Sequence, residues 1–142
     1  MELGLTFPLQ RFLKIKTPAY GIQPDRRFCW DLHCIDLRGR KCLLAVHCHS
    51  RYTFVYYDVA PFQWADLTGL FLRGLAESLA AAGFDPQQTE EYLHRAGGIA
   101  ITRTHGRREV AFLNRAWEDV LELEMDPETG AQPKLRQMFL LE

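Results

Sequence analysis

Three consecutive segments in the first half of this 142-residue chain place the strongest constraint on its fold. They cover residues 28–37, 41–49 and 52–57, and they are rich in aromatic, β-branched and other apolar residues. Segments of this composition that are separated by short turns are typical of strands that pair with their sequence neighbours. Arg38-Gly39-Arg40 predicts the first turn, because glycine adopts a positive φ without strain. We therefore predict an antiparallel three-stranded meander.

Helical spacing replaces the strand pattern after this region. Apolar residues recurring at i, i+3, i+4 and i+7 predict helices, and proline, glycine and aspartate at their ends predict the boundaries. The predicted elements are helices over 61–83, 85–98 and 110–121 and a fourth good strand over 99–104. The alternating segment Leu5–Leu9 predicts an edge strand, where Pro8 is tolerated. The fold class is α+β, an antiparallel meander sheet with three helices packed on it, in a single domain over residues 1–142.

Composition excludes several classes of protein. With 47% hydrophobic residues, 25% charged residues and a net charge of -1, the chain is neither disordered nor a generic nucleic-acid coat. No apolar stretch is long enough to cross a membrane, and the N-terminus lacks the basic start of a secretory signal. We therefore expect a cytoplasmic protein with reduced thiols and no membrane partner.

Charge is divided unevenly along the chain. Residues 1–51 hold nine Lys and Arg against four Asp and Glu, whereas residues 52–142 hold eight against fourteen. Basic and aromatic residues lie close together in the predicted strands, and such strands can stack single-stranded bases. The acidic second half would oppose phosphates, so nucleic-acid binding is kept only as a further alternative.

Seven of the nine cysteine and histidine residues fall between Cys29 and His49. Zinc uses such ligands, but no C-x2-C pair is present, so the spacing fits neither a zinc finger nor a zinc ribbon. Strand pairing offers another arrangement. The register is described by the sum of the two residue numbers in each cross-strand pair. If that sum is 78, so that Asp31 pairs with His47, one hairpin face carries five residues of metal-ligand type, namely Cys29, Asp31, His33, His47 and His49. A change of register by one residue disperses them.

The other face of that hairpin would combine apolar residues with Cys34, Cys42 and Cys48. Cysteine most often serves as a small buried hydrophobe, so structural thiols with surface histidines are the favoured interpretation. On that interpretation no cofactor is expected. The alternative is a zinc-binding protein or a metal-dependent hydrolase that uses the Cys/His/Asp strand face.

No catalytic or phosphate-binding motif supports an enzyme. The patterns GxxxxGK[ST], GxGxxG, HExxH and GxSxG are absent from the sequence. The run Thr104–Arg108 precedes a helix and could hold an anion at its N-terminus, although a turn with a solvated basic pair is favoured. The tail, residues 131–142, carries four large apolar residues near its end, which predicts burial either in its own domain or against a partner or a second copy. The leading prediction is a protein-interaction or regulatory module without catalysis.

The order of these elements resembles a known family. Trp30 opens the first meander strand, Arg40-Lys41-Cys42 follows the basic turn, and Thr104, Arg108-Glu109-Val110 and Asn114 surround the start of the last helix. Over about residues 28–120 the chain resembles a bacterial family catalogued only as a domain of unknown function. The resemblance implies a small α+β protein without assigned chemistry. It points to five binding positions, with no roles attached: Trp30, Lys41, Thr104, Arg108 and Asn114.

Overall fold

A computed structural model describes residues 1–122 of the chain. The strands are β1 (Glu2–Leu5), β2 (Cys29–Leu37), β3 (Arg40–His47), β4 (Thr53–Tyr56) and β5 (Ala100–Arg103). The helices are α1 (Phe7–Leu13), α2 (Pro61–Trp64), α3 (Leu67–Ala81), α4 (Pro86–Ala96) and α5 (Arg107–Glu122), and a 3-10 turn covers Arg26–Phe28. The tail 131–142, predicted to contact a partner, lies outside the described residues.

The five strands form one mixed sheet in the order β4-β3-β2-β1-β5. Strands β2, β3 and β4 make the predicted antiparallel meander. The expectation of a purely antiparallel sheet is wrong, because β1 lies between β2 and β5 and is parallel to both. The predicted edge strand at Leu5–Leu9 is also wrong. The observed strand lies earlier in the chain, at Glu2–Leu5. Residues Phe7–Leu13 are helical, and Pro8 lies in the first turn of that helix, where a missing N–H costs no hydrogen bond.

The β2–β3 hairpin differs from the prediction by one residue of register. Leu37 pairs with Arg40 and Trp30 with His47, so paired positions sum to 77 rather than 78. The cause is the turn, which has two central residues instead of three. Arg38 and Gly39 both have positive φ, 52° and 75°, as a two-residue hairpin loop of the tight type requires.

The described residues contain five helices, so the expectation of three is also wrong. The long predicted helix over 61–83 is divided into α2 and α3, and Asp66 accepts the Gly69 N–H to begin the second of them. The helix predicted over 85–98 is confirmed as α4, with Asp85 as its N-cap and Gly97 after its last residue. None of the helices among residues 1–122 is both long and apolar enough to cross a membrane.

The sheet is covered on both faces. Helices α1 to α4 contribute to the core on one face, which we call the four-helix face, with Leu9, Trp64, Phe71 and Ala96 among the buried residues. Helix α5 packs on the opposite face, called here the α5 face, through Leu113, Ala116 and Val120. Because successive strand residues point to opposite faces, Trp30 and Leu32 face α3, whereas Ile35 and Leu37 belong to the α5 face.

Candidate functional site

Two groups of chemically distinctive side chains lie at the same end of β2 and β3, on opposite faces of the sheet. The first, which we call the ionic cluster, is buried near the start of α5 and consists of Glu2, Cys29, Asp31, Cys48 and His105. The second, called here the aromatic pocket, opens on the four-helix face. The register decides this division, because His47 pairs with Trp30 and therefore lies on the face of Trp30 rather than on that of Cys29 and Asp31.

In the ionic cluster, the His105 imidazole bridges two buried carboxylates. Its Nδ1 lies 2.7 Å from Asp31 Oδ1, and its Nε2 lies 2.9 Å from Glu2 Oε1. Since an ionised carboxylate only accepts hydrogen bonds, both ring nitrogens act as donors when both carboxylates are ionised, and the ring is then an imidazolium. A buried charge is tolerated when it is paired in this way.

The pKa values agree with this arrangement. Burial by itself would lower the pKa of His105, but its contacts with Asp31, Cys29 and Cys48 raise it to about 12. Burial would raise the pKa of Glu2, but hydrogen bonds from His105, Gln23 and Ile22 lower it overall. Burial raises the pKa of Cys48 to about 11, which keeps this thiol protonated at neutral pH.

Main-chain N–H groups and a glycine accommodate the two carboxylates of the cluster. The N–H groups of Ile22 and Gln23 donate to Glu2 Oε2 at 2.7 and 2.9 Å. The His105 main-chain N–H lies 3.3 Å from both oxygens of Asp31. Gly4 leaves the space that the Asp31 carboxylate occupies, since a Cβ at Gly4 would collide with Asp31 Oδ1 and lie 2.8 Å from the Arg103 carbonyl oxygen. The loop before α5 therefore does hold an anion, and that anion is the chain's own Asp31.

Arg26 borders the cluster on its solvent side. Its guanidinium donates to the His105 carbonyl at 3.1 Å and lies 3.3 Å from the Glu109 carboxylate in the first turn of α5. These contacts link the 3-10 turn to the start of α5. The cluster is thereby closed by residues from four separate parts of the chain.

The aromatic pocket is a cavity of about 440 Å³ between the ends of β2 and β3 and helices α3 and α4. Its wall is built from aromatic and aliphatic side chains, with polar residues at the rim. The lining residues that matter here are Trp30, His47, Tyr52, Leu79, Phe84 and Tyr92. The Trp30 ring packs against the His47 ring at a centroid distance of 4.7 Å and against Phe71 at 5.2 Å.

Polar atoms of the pocket wall are bonded to one another. Trp30 Nε1 donates to the Tyr92 hydroxyl at 3.1 Å, and that hydroxyl donates to the Arg27 carbonyl at 2.6 Å. His47 Nε2 also lies 2.8 Å from the Arg27 carbonyl, so it carries the proton, and Nδ1 accepts from Ser50 Oγ at 2.7 Å. The Tyr52 hydroxyl lies 2.5 Å from Ser78 Oγ. These four aromatic residues consequently offer a ligand mainly the apolar faces of their rings.

These hydrogen bonds agree with a neutral imidazole at His47. Burial lowers its pKa, so the imidazole is neutral at neutral pH, as acceptance at Nδ1 requires. Both nitrogens are engaged in hydrogen bonds, so neither is available to act as a general base on a bound molecule. His47 is therefore held in place as a part of the pocket wall.

The structure does not bring the five predicted metal ligands together on one face. Cys29 and Asp31 belong to the ionic cluster, but His47 lies in the aromatic pocket and His49 is exposed at its rim. His33 shares the face of Asp31, yet its Nδ1 contacts Thr6 Oγ1 at 2.6 Å and its ring packs on Trp117. The shared-face geometry was therefore wrong, and the physical reason is the two-residue turn.

The five positions that the family resemblance implies are also dispersed. Trp30 is a wall of the pocket, and Lys41 pairs with Asp36 at 3.0 Å. Arg108 lies over the Phe112 ring, and Asn114 is exposed on α5. Thr104 is half-buried beside Gly4. A binding role for these positions stays a prediction, and the structure does not bring the five together in one place.

Three members of the ionic cluster were missed by sequence reasoning: Glu2, Cys48 and His105. Cys48 was predicted to be a small buried hydrophobe, and Glu2 lies in a strand that was not predicted. His105 was seen only as part of a turn. A usable signal was present in Glu2, because an acidic residue in an otherwise apolar segment such as Met1–Leu5 needs a partner when that segment is buried.

The fold and its sites define a small α+β domain in which a mixed sheet separates an apolar pocket from a buried ionic cluster. The sequence matches the family model described as the domain of unknown function DUF6933 over residues 2–138, and the chain belongs to that family. The resemblance to a domain of unknown function is thus confirmed, and the match extends beyond residues 28–120 at both ends. A search of curated proteins finds no match.

Proposed function

We propose that this domain is a non-catalytic protein-interaction module that holds an aromatic-bearing segment of a partner protein in the aromatic pocket. The main observation behind this proposal is that the polar atoms of Trp30, His47 and Tyr92 are already hydrogen-bonded within the protein. Tryptophan, tyrosine and phenylalanine line the cavity, and these residues are enriched at the centres of protein interfaces. Phe84 at the rim is 40% exposed, so its ring is available to a partner.

The bonding also favours a protein segment over a small molecule. Small-molecule sites orient their ligands by a few convergent polar groups in an apolar cavity. Here the polar atoms of Trp30, His47 and Tyr92 are directed to the Arg27 carbonyl, to Ser50 or to each other. An apolar side chain needs no such groups, because the rest of its own chain fixes its orientation. We also propose a cytoplasmic location, which the four thiols in so small a chain support.

A displayed library of random peptides, selected on the full chain, tests the proposal. We expect enriched peptides to share aromatic residues and to lose at least about tenfold in affinity for a Phe84→Ser variant, because a rim aromatic is removed. Phe62→Ser is the matched control, since Phe62 is a 75% exposed phenylalanine on α2 that does not line the pocket.

Two outcomes would overturn the proposal. One is that selection yields no aromatic-bearing peptide, or that the enriched peptides bind the Phe84 variant as well as they bind the unmodified chain. The other is a small molecule that co-purifies with the chain in stoichiometric amount and competes with the selected peptides. That result would assign the pocket to a metabolite.

A further inference from the structure

The ionic cluster contains donor atoms that its structural role does not require. One ligand atom from each of Glu2, Cys29 and His105 lies within 4.8 Å of the other two, and all three residues are buried. A carboxylate–imidazole pair would be complete without a thiol, yet Cys29 Sγ lies 3.9 Å from Glu2 Oε1. Carboxylate, imidazole and thiolate are together the donor set that zinc takes in proteins.

The spacing of these atoms is close to that of ligands on one metal ion. With metal–nitrogen and metal–oxygen distances of about 2.0 Å and metal–sulfur of about 2.3 Å, tetrahedral neighbours lie about 3.3–3.6 Å apart. The observed 3.9 Å between Cys29 Sγ and Glu2 Oε1 is slightly longer, and the 2.9 Å between Glu2 Oε1 and His105 Nε2 is shorter. The first distance would have to shorten, and the second to lengthen, by about 0.4 Å each to match neighbouring ligands of one ion.

The surroundings orient two of these donors, the Glu2 carboxylate and the His105 imidazole. Glu2 Oε2 is fixed by the N–H groups of Ile22 and Gln23, which leaves Oε1 to point at the cluster. Asp31 accepts from His105 Nδ1, which leaves Nε2 directed toward Glu2. A carboxylate on the far nitrogen of a ligating histidine is the usual support of such a ligand in metal sites.

A second group of donors, Asp31, Cys48 and His105 Nδ1, is also within 4.8 Å. It is less suited to a metal for two reasons. Asp31 Oδ1 is confined against Gly4, and it would have to separate from Nδ1 over the shortest distance in the cluster, 2.7 Å. The thiol of Cys48 lies in an environment that opposes the thiolate.

From these contacts we propose that Glu2, Cys29 and His105 bind one divalent metal ion of the zinc class, with Asp31 as a positioning residue for His105. Binding replaces the proton on His105 Nε2 and the thiol proton of Cys29, and both protons leave to solvent. The dication exchanges for two protons, so the net charge of the buried cluster is unchanged and no unpaired charge is created. Metal uptake therefore becomes tighter as pH rises.

The test uses the full chain, purified without a histidine tag from zinc-supplemented culture. We expect about one zinc per chain by elemental analysis and a thermal transition that falls after chelation. Cobalt in place of zinc should give tetrahedral visible bands and a sulfur-to-cobalt charge-transfer band. Cys29→Ser should lose that charge-transfer band and most of the zinc. Two control variants should keep both: Cys34→Ser, a half-buried thiol on the four-helix face, and Cys48→Ser.

Three results would overturn the proposal. The first is zinc at background level in the unmodified chain after zinc-supplemented growth. The second is a cobalt spectrum of the unmodified chain that lacks the sulfur-to-cobalt band. This measurement does not depend on whether any variant folds. The third is loss of metal in Cys48→Ser with retention in Cys29→Ser, which would place the ion on the other donors. None of these results bears on peptide binding in the aromatic pocket, so the two proposals succeed or fail separately.

Discussion

The ionic cluster and the aromatic pocket are separated by one sheet, and they satisfy their polar groups in different ways. In the cluster, charged groups from β1, β2 and the loop before α5 pair with one another, and all of them are buried. In the pocket, neutral groups bond to one another around the Arg27 carbonyl, and apolar ring faces remain open. Consecutive residues of β2 therefore belong to two different kinds of site, one made of charged groups and one made of apolar surface.

The two central histidines show the same contrast. Contacts with carboxylate and thiol groups raise the pKa of His105 to about 12, although burial opposes this, while burial lowers the pKa of His47. A buried histidine is charged only where partners of opposite charge offset its desolvation. Mutations on the two sides of the sheet should therefore differ in how much they lower the free energy of unfolding.

Asp31→Ala should have the largest effect. It removes the acceptor of both the His105 ring and its main-chain N–H, and breaking a buried ion pair from one side costs about 3–5 kcal/mol. Urea unfolding measures the loss. The control is Asp36→Ala, which removes an exposed carboxylate paired with Lys41 and should cost less than about 1 kcal/mol. Equal losses in the two variants would contradict a buried charged cluster.

Gly4→Ala should be the next most damaging change. The added methyl group would meet the Asp31 carboxylate and the Arg103 carbonyl, and overpacking of this kind costs up to about 3 kcal/mol. The matched control is Gly98→Ala, where an added Cβ has no neighbour within 4 Å. Thermal unfolding of the two variants gives the comparison. If Gly4→Ala is as stable as the control, the close approach of β1 to Asp31 is incorrect.

Tyr92→Phe should cost about 1 kcal/mol, because the Trp30 Nε1–H loses its acceptor and the Arg27 carbonyl loses one donor. His47 continues to donate to that carbonyl, which limits the loss. Tyr20→Phe is the control, since Tyr20 is 72% exposed. Denaturant unfolding measures both variants. A loss as large as that of Asp31→Ala would show that the pocket, too, depends on a buried charge.

The smallest effect is expected from the protonation of His47. Its folded pKa lies below the ordinary 6.5, so the folded chain binds fewer protons than the unfolded chain. Its contribution to stability is therefore present above pH 6.5 and is lost as pH falls through the folded pKa. His33 acts in the same direction, so the measurement must be specific to one residue.

An NMR titration of the ring protons of His47 provides that measurement, with the assignment made from His47→Gln. We expect its midpoint below 6.5, while the His105 ring in chelated protein shows no titration between pH 5 and 8 because its pKa is about 12. Midpoints in the reverse order would remove the contrast between the two sites.

Much of the fold could be predicted from the sequence because it depends on local patterns. The meander and helices α3 to α5 were predicted from alternation, helical spacing and capping residues. Strand β1 was not, since a run of only four residues is too short for its pattern to distinguish a strand from a helix. A parallel strand also makes its pairs with distant residues, which no local pattern records.

The sequence by itself determined an α+β fold with a β-meander, amphipathic helices and an unusual supply of cysteine and histidine. Only the tertiary structure decided which of those side chains meet. Whether the turn at Arg38-Gly39 has two or three central residues shifts the register by one, and one residue moves a side chain to the other face of the sheet. Glu2 and His105 are 103 residues apart, and they meet because β1 pairs with β5.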